Sequence, residues 1–143
     1  MIIRLAQTDA DILKCTEAIL LLRPHHAQTD LLTCIKEMQS EGYKLAFVEA
    51  DNKAVAICGY RYLQFLYCGK HIYIDDLSTL DAYRHKGYAA ALLDFVEKEA
   101  QNKGYSCVTL DSGHQRTAAH RLYLNKKYTI SAHHFTLNLK THN

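Results

Sequence analysis

The chain reads as one α/β (α+β) domain, with a mixed, mostly antiparallel central sheet and helices on both faces. Three observations predict this. Helical hydrophobic periods come first, two-residue alternation takes over in the middle, and a strand–helix–strand unit follows in the second half. With 143 residues the chain suits a single domain, 1–143, large enough to bury a core without disulfides or metals.

Ile2 to Leu5 is a short opening strand. Asp9 or Asp11 can cap a first helix whose apolar positions Ile12, Leu13, Ala18, Ile19 and Leu22 follow the helical period. Pro24, the single proline, closes that helix near Arg23. A second helix, capped by Thr29 or Asp30, carries Leu31, Leu32, Ile35 and Met38 and stops at Glu41-Gly42. Strands then run from Leu45 to Ala50, from Ala54 to Leu66 and from His71 to Thr79, separated by Asp51-Asn52-Lys53 and Cys68-Gly69-Lys70. Gly59 interrupts the second of these, which marks a bulge or close packing against another backbone. Gly87 to Gln101 is helical, Tyr105 to Leu110 a short buried strand, Ser112 to about Asn125 the last helix, and Tyr128 to Leu139 a closing strand. The unit from about 71 to 110 implies a parallel strand pair with a right-handed crossover.

Composition narrows the partners. Hydrophobic residues make up 48% and charged residues 22%, and 17 basic residues against 15 acidic ones leave a formal charge of +2. That balance disfavours nucleic acid or an anionic membrane as the main partner. No segment approaches a membrane span, and Met1 to Leu5 lacks a signal peptide's apolar region, so a cytoplasmic location is expected. Five scattered cysteines without a Cys-x-x-Cys pair argue against a disulfide framework and read as small buried hydrophobes. No metal site is expected from the nine histidines: His114 and His120 are six apart on one helix, and His133 and His134 are strand neighbours pointing oppositely.

The loop between Thr79 and the following helix carries the strongest local signal. Arg84-His85-Lys86-Gly87-Tyr88-Ala89 places basic residues and a glycine where a helix begins. The first amides of a helix lack internal partners, and the helix dipole adds partial positive charge there, so a diphosphate fits that end. Gly87 lets the backbone approach phosphate oxygens and tolerates positive φ. The spacing is neither a Walker loop nor a dinucleotide fingerprint.

Arg-x-x-Gly-x-Ala after a strand, two-thirds of the way along a short chain, resembles the acetyl-CoA-binding motif of the GNAT-type N-acetyltransferase superfamily. Asp75-Asp76-Leu77-Ser78-Thr79 sits where that family's central strand meets the cofactor, and Leu110-Asp111-Ser112-Gly113 sits at the start of the last helix. Ala119 to Tyr128 is similar to the family's Ala-x-x-x-Tyr segment. The resemblance spans about residues 44 to 139. It departs at Lys127-Tyr128, where the family has Gly-Phe or Gly-Tyr; a left-handed lysine is costly, so a different helix exit is expected.

The resemblance implies a GNAT-like acyl-CoA N-acyltransferase fold, and an enzyme that moves an acetyl group from acetyl-CoA to a primary amine in a ternary complex. It implies that main-chain groups of Leu77, Ser78 and Thr79 pair with the pantetheine arm like an added strand. It places the Leu77 amide against the thioester oxygen and the amides of Arg84, His85, Lys86, Gly87, Tyr88 and Ala89 around the pyrophosphate. Arg116 becomes a candidate for the cofactor's outer part, and Tyr123 the general acid for the thiolate. Asp75 or Asp76 is the candidate base, or an attractor for a cationic amine. As strand neighbours they are expected on opposite faces, with Tyr73 on the face of Asp75. A non-catalytic acyl-CoA-binding or sensing module on the same fold is the competing reading. The acceptor carries no motif, and the terminal strands leave a homodimer open.

Overall fold

A computed structural model describes residues 1–140. The elements are β1 (Ile3–Leu5), α1 (Asp9–Lys14), α2 (Thr16–Leu22), α3 (Leu31–Ser40), β2 (Lys44–Ala50), β3 (Lys53–Phe65), β4 (Gly69–Thr79), α4 (Tyr88–Asn102), β5 (Cys107–Leu110) and α5 (Thr117–Asn125). Short 3-10 turns lie at Pro24–His26 and Asp81–Tyr83. They form two compact units, Met1–Leu110 and Asp111–Asn143.

The first unit holds a five-stranded sheet in the order β1-β2-β3-β4-β5. Its pairs are antiparallel except β4 with β5, which run parallel across the α4 crossover. The mixed, mostly antiparallel α+β architecture predicted above is the one observed. Strand alternation sorts the core. Leu45, Phe47 and Ile57 turn to one face and pack with Ile12, Ala18, Ile19, Leu31 and Ile35 of α1 to α3. Ala46, Cys58 and Ile72 turn to the other face, where α4 buries Leu92, Leu93 and Val96. Each such large side chain contributes about 1.5–3 kcal/mol by leaving water.

Local chemistry explains where the boundaries moved. The first cap is Thr8, whose hydroxyl accepts from the Asp11 amide at 3.1 Å, and not Asp9 or Asp11. The expected single helix is broken at Cys15: the Thr16 hydroxyl donates to the Leu13 carbonyl at 2.8 Å, competing with the helical ladder. Asp30 caps α3, accepting from the Thr33 amide at 3.2 Å. Asp51 and Asn52 both have positive φ, 53° and 61°, the pattern of a two-residue hairpin turn between β2 and β3. Of the five cysteines, Cys15 and Cys58 are buried, while Cys34, Cys68 and Cys107 are only partly so. No helix among the described residues is long and apolar enough to cross a membrane.

In the second unit α5 starts at Thr117, five residues later than expected, after a turn in which the Arg116 amide donates to the Gly113 carbonyl. The closing strand expected over Tyr128 to Leu139 is absent: residues 129–139 are neither helix nor strand. A lone strand has no ladder to stabilise it, and this unit offers no second strand among its described residues.

The exit of α5 keeps a left-handed residue despite the missing glycine. Lys127 has φ 73° and donates its amide to the Leu124 carbonyl, while Tyr128 donates to Tyr123 at 3.0 Å. The Tyr123 and Tyr128 rings meet at 5.9 Å. These are the two hydrogen bonds and the apolar contact of a Schellman exit. Lysine pays the steric penalty that glycine avoids. Lys127→Gly is therefore expected to raise stability by about 1 kcal/mol, read as a higher urea midpoint at unchanged denaturant slope.

Candidate active site

The site grows from one extra residue in β4. Tyr60 pairs with Ile74 and Gly59 with Asp76, so Asp75 has no counterpart on β3 and forms a β-bulge. The parallel ladder with β5 covers only His71 to Ile74, opposite Cys107 to Leu110. Within the first unit, Asp75 to Thr79 is thus held by β3 alone, and its other edge is open. The Leu80 amide donates to the Val55 carbonyl at 2.9 Å. Main-chain groups alternate in direction along an antiparallel ladder. Ser78 and Asp76 therefore turn theirs to β3, and Leu77 and Thr79 turn theirs to the open edge. Of Leu77, Ser78 and Thr79, the three residues named from the sequence, Ser78 turns its main-chain groups to β3. Ser78 instead buries its hydroxyl, which donates to the Ala18 carbonyl at 2.8 Å.

The bulge also overturns the expectation that Asp75 and Asp76 face opposite ways. An extra residue breaks strict alternation, and both carboxylates join one network. The Arg61 Nε donates to Asp75 Oδ2 at 2.8 Å. Arg23, at the end of α2, donates from Nε to Asp76 Oδ1 at 3.1 Å and from Nη2 to the Asp75 carbonyl at 2.9 Å. The Tyr43 hydroxyl donates to Asp76 Oδ2 at 2.7 Å, and Arg61 lies over the Tyr43 ring, 5.3 Å from its centroid. Tyr73, opposite Arg61 in the register, belongs to the same face. Asp75 Oδ1 is buried and has no hydrogen-bond partner among the described residues. Burial raises the Asp75 carboxyl above its ordinary value, and Arg61 only partly offsets it. Burial beside Asp76 pushes the Tyr43 hydroxyl well up, so it stays a donor.

Gly59 makes this network fit. A Cβ there would fall on the Tyr43 hydroxyl. The close approach read from the sequence is real, but the neighbour is a side chain and not a backbone.

The turn after β4 is shaped for an anion. Arg84 is extended, His85 has φ 62°, and Gly87, which caps α4, has φ 83°. Alternating left-handed residues turn successive amides toward one side. No side chain caps α4, which leaves its first amides, from Tyr88 and Ala89 on, without that kind of partner. Open space surrounds Gly87. Arg84 is paired with Asp81 at 3.0 Å, and the Lys86 ammonium sits 5.3 Å from the Tyr83 ring centroid, both at the exposed rim. Tyr83 donates to Asp51 and ties this turn to the β2–β3 hairpin.

Tyr123 and Arg116 lie in the second unit, Tyr123 in the last turns of α5 and Arg116 at its N-cap. In the same unit the His120 Nε2 lies 3.1 Å from the Ser112 hydroxyl, and His134 Nδ1 lies 3.5 Å from Asp111. Among the described residues no three histidine, cysteine, aspartate or glutamate side chains converge as a metal site would require.

Residues 11–126 match the acetyltransferase (GNAT) family. The chain belongs to that family. Over 100 residues this GNAT chain is 39% identical to the uncharacterised N-acetyltransferase YhdJ of Bacillus subtilis (strain 168), covering 68% of this chain and 70% of that protein. A putative acetyltransferase from Agrobacterium tumefaciens str. C58 shares the fold, with TM-score 0.82 and 19% identity over 96% of this chain and 99% of that one. So does AAC(6')-Iy, solved with the bisubstrate analogue CoA-S-monomethyl-acetylneamine, with TM-score 0.80 and 15% identity over 99% and 100% of the two chains.

Sequence reasoning missed three members of the GNAT chain's carboxylate network: Tyr43, Arg23 and Arg61. Arg61 alone left a trace, a charge inside an otherwise apolar strand. Tyr43 and Arg23 follow helix ends and carry no periodic mark. Gly59→Ala is expected to destabilise the protein by about 3 kcal/mol, an overpacking cost joined to loss of the charge-assisted bond from Tyr43. Urea unfolding measures it.

Proposed function

We propose that the protein is an N-acetyltransferase that moves the acetyl group of acetyl-CoA directly to a primary amine, with residues 1–143 acting as one catalytic domain. The open edge of β4 carries this reading. Leu77 and Thr79 present main-chain donors and acceptors there, and the same strand leads into the left-handed turn at Gly87 that opens α4. A pantetheine arm has amides spaced to pair with such an edge. Its pyrophosphate suits the amides from Arg84 to Ala89, with the arginine and lysine charges at the rim.

In the proposed reaction the amine nitrogen attacks the thioester carbonyl carbon. The Leu77 N–H faces the oxygen that gains charge, a role for a fixed backbone donor. Asp75, whose Oδ1 lacks a donor, takes the amine proton; Asp76 lies beside it. The carbon–sulfur bond then breaks, and the thiolate receives a proton from Tyr123, assigned by its place in the Ala-x-x-x-Tyr segment. A thiol of intrinsic pKa about 8.5 is already a fair leaving group, so the tyrosine assists modestly. Arg116 is assigned to the outer part of the cofactor on the same basis. N-acetylated amine and free coenzyme A are the products.

The test is thiol release from acetyl-CoA across a broad amine panel, with product mass as confirmation. Asp75→Asn is expected to lower kcat about a hundredfold, and Tyr123→Phe about tenfold. Gly87→Ala should raise the acetyl-CoA KM while leaving kcat nearly intact, because strain falls on the anion turn. Folding raises the Asp75 carboxyl, so protonation silences it at a higher pH than an ordinary aspartate. The acid limb of kcat/KM should therefore lie above about pH 4 and vanish in Asp75→Asn. Binding of acetyl-CoA with no amine turned over would favour a sensing module instead.

A further inference from the structure

We propose that Tyr43 and Arg23 are positioning residues, which hold Asp76 and the Asp75 carbonyl so that only Asp75 offers a carboxylate oxygen to the acceptor amine. This rests on the acetyl-transfer reading above and divides the labour between the two aspartates.

The division follows from counting acceptors. Asp76 spends Oδ1 on Arg23 and Oδ2 on Tyr43. An incoming amine would have to displace Arg23 or Tyr43 to reach Asp76. Asp75 spends Oδ2 on Arg61 and keeps Oδ1 unpartnered among the described residues. An acceptor buried without a donor is a costly arrangement that a structure keeps only with compensation, and functional sites are where such groups collect.

The holding groups come from four places in the chain. Arg23 caps α2, Tyr43 leads into β2, Gly59 and Arg61 belong to β3, and the aspartates to β4. Arg23 grips both successive residues at the bulge, the Asp75 carbonyl and the Asp76 side chain. Tyr43 is buried to 3% exposure, and its hydroxyl occupies the space that Gly59 leaves open. A bulge fixed on both sides cannot slip its register by one residue. Such a slip would exchange Leu77 for Ser78 at the open edge. So the contacts that orient Asp75 also keep the Leu77 amide on the side of the thioester.

The groups near Asp75 are Arg61 from β3, Arg23 from the end of α2, Asp76 on its own strand, Tyr43 through the shared network, and Cys58 from the opposite face of β3. Tyr43→Phe keeps the ring and removes only the donated proton, and Arg23→Gln removes the grip on both residues. Tyr43→Phe is expected to loosen the bulge and admit water to a carboxyl whose raised value comes first from burial, whereas Arg23→Gln also removes a cation that lowers that value.

Carbon NMR of the Asp75 carboxyl in the free protein, with Asp75→Asn as the assignment control, reads this without any substrate. Its titration is expected above the ordinary aspartate range in the wild type and lower than that in Tyr43→Phe, while Arg23→Gln is read by kcat because it also removes a neighbouring cation that lowers the Asp75 value. With acetyl-CoA and an accepted amine, kcat should fall about tenfold in each, with the acetyl-CoA KM within about twofold. Asp76→Asn should keep the acid limb that Asp75→Asn loses. An unmoved Asp75 titration in Tyr43→Phe, or an acid limb lost in Asp76→Asn, overturns the proposal. If no amine is ever acetylated the reaction reading fails on its own, and the NMR titration still decides the positioning.

Discussion

The structure around the site depends on a single mismatch of register: β4 has one residue more than β3 can pair. Everything near Asp75 follows from accommodating it. A bulge bends its strand and increases local twist. Here the ladder with β5 ends just before the bulge, at Ile74 and Leu110, so within the described residues of the first unit the bent part of β4 is held by β3 alone. The strain of an unpaired residue is offset by side-chain donors in place of ladder bonds. Arg23 takes the carbonyl that β3 cannot, and Arg61 the carboxylate. Gly59 and Tyr43 form the complementary pair, one giving up a side chain so that the other can reach Asp76.

The fold was legible because its signals are local. Gly42 and Asp30 mark the ends of α3, the Asp51-Asn52 turn marks a hairpin, and the apolar run from Leu92 to Ala100 marks a buried helical face. The turn into α4 was legible for the same reason, since Gly87 takes a positive φ at the helix start. The bulge was not. Alternation assigns Asp75 and Asp76 to opposite faces, and only pairing with β3, set by residues fifteen or so positions away, reveals the extra residue. Long-range partners such as Tyr43 and Arg23 leave no spacing to read, because their contacts cross 33 to 53 positions of chain. The missing last strand is the reverse error. The pattern Phe135, Leu137, Leu139 alternates as a strand does, but alternation states a preference and a ladder needs a partner.

Charge within the network is balanced, two arginines against two aspartates, and that balance bears on how the site treats an amine. Long-range attraction of a cation is weak where each carboxylate already has a guanidinium beside it. Under the proposed reaction, recognition then depends on contact: a donor must reach Asp75 itself. Acceptor shape should matter more than acceptor charge.

The open edge of β4 has a meaning for the free protein as well. A row of outward-facing amides and carbonyls is an unfinished sheet, and unfinished sheets recruit strands from any source, including other copies of the same chain. A ligand that pairs with Leu77 and Thr79 would therefore complete the architecture. The folded state would be tightened by the logarithm of that ligand's concentration over its dissociation constant.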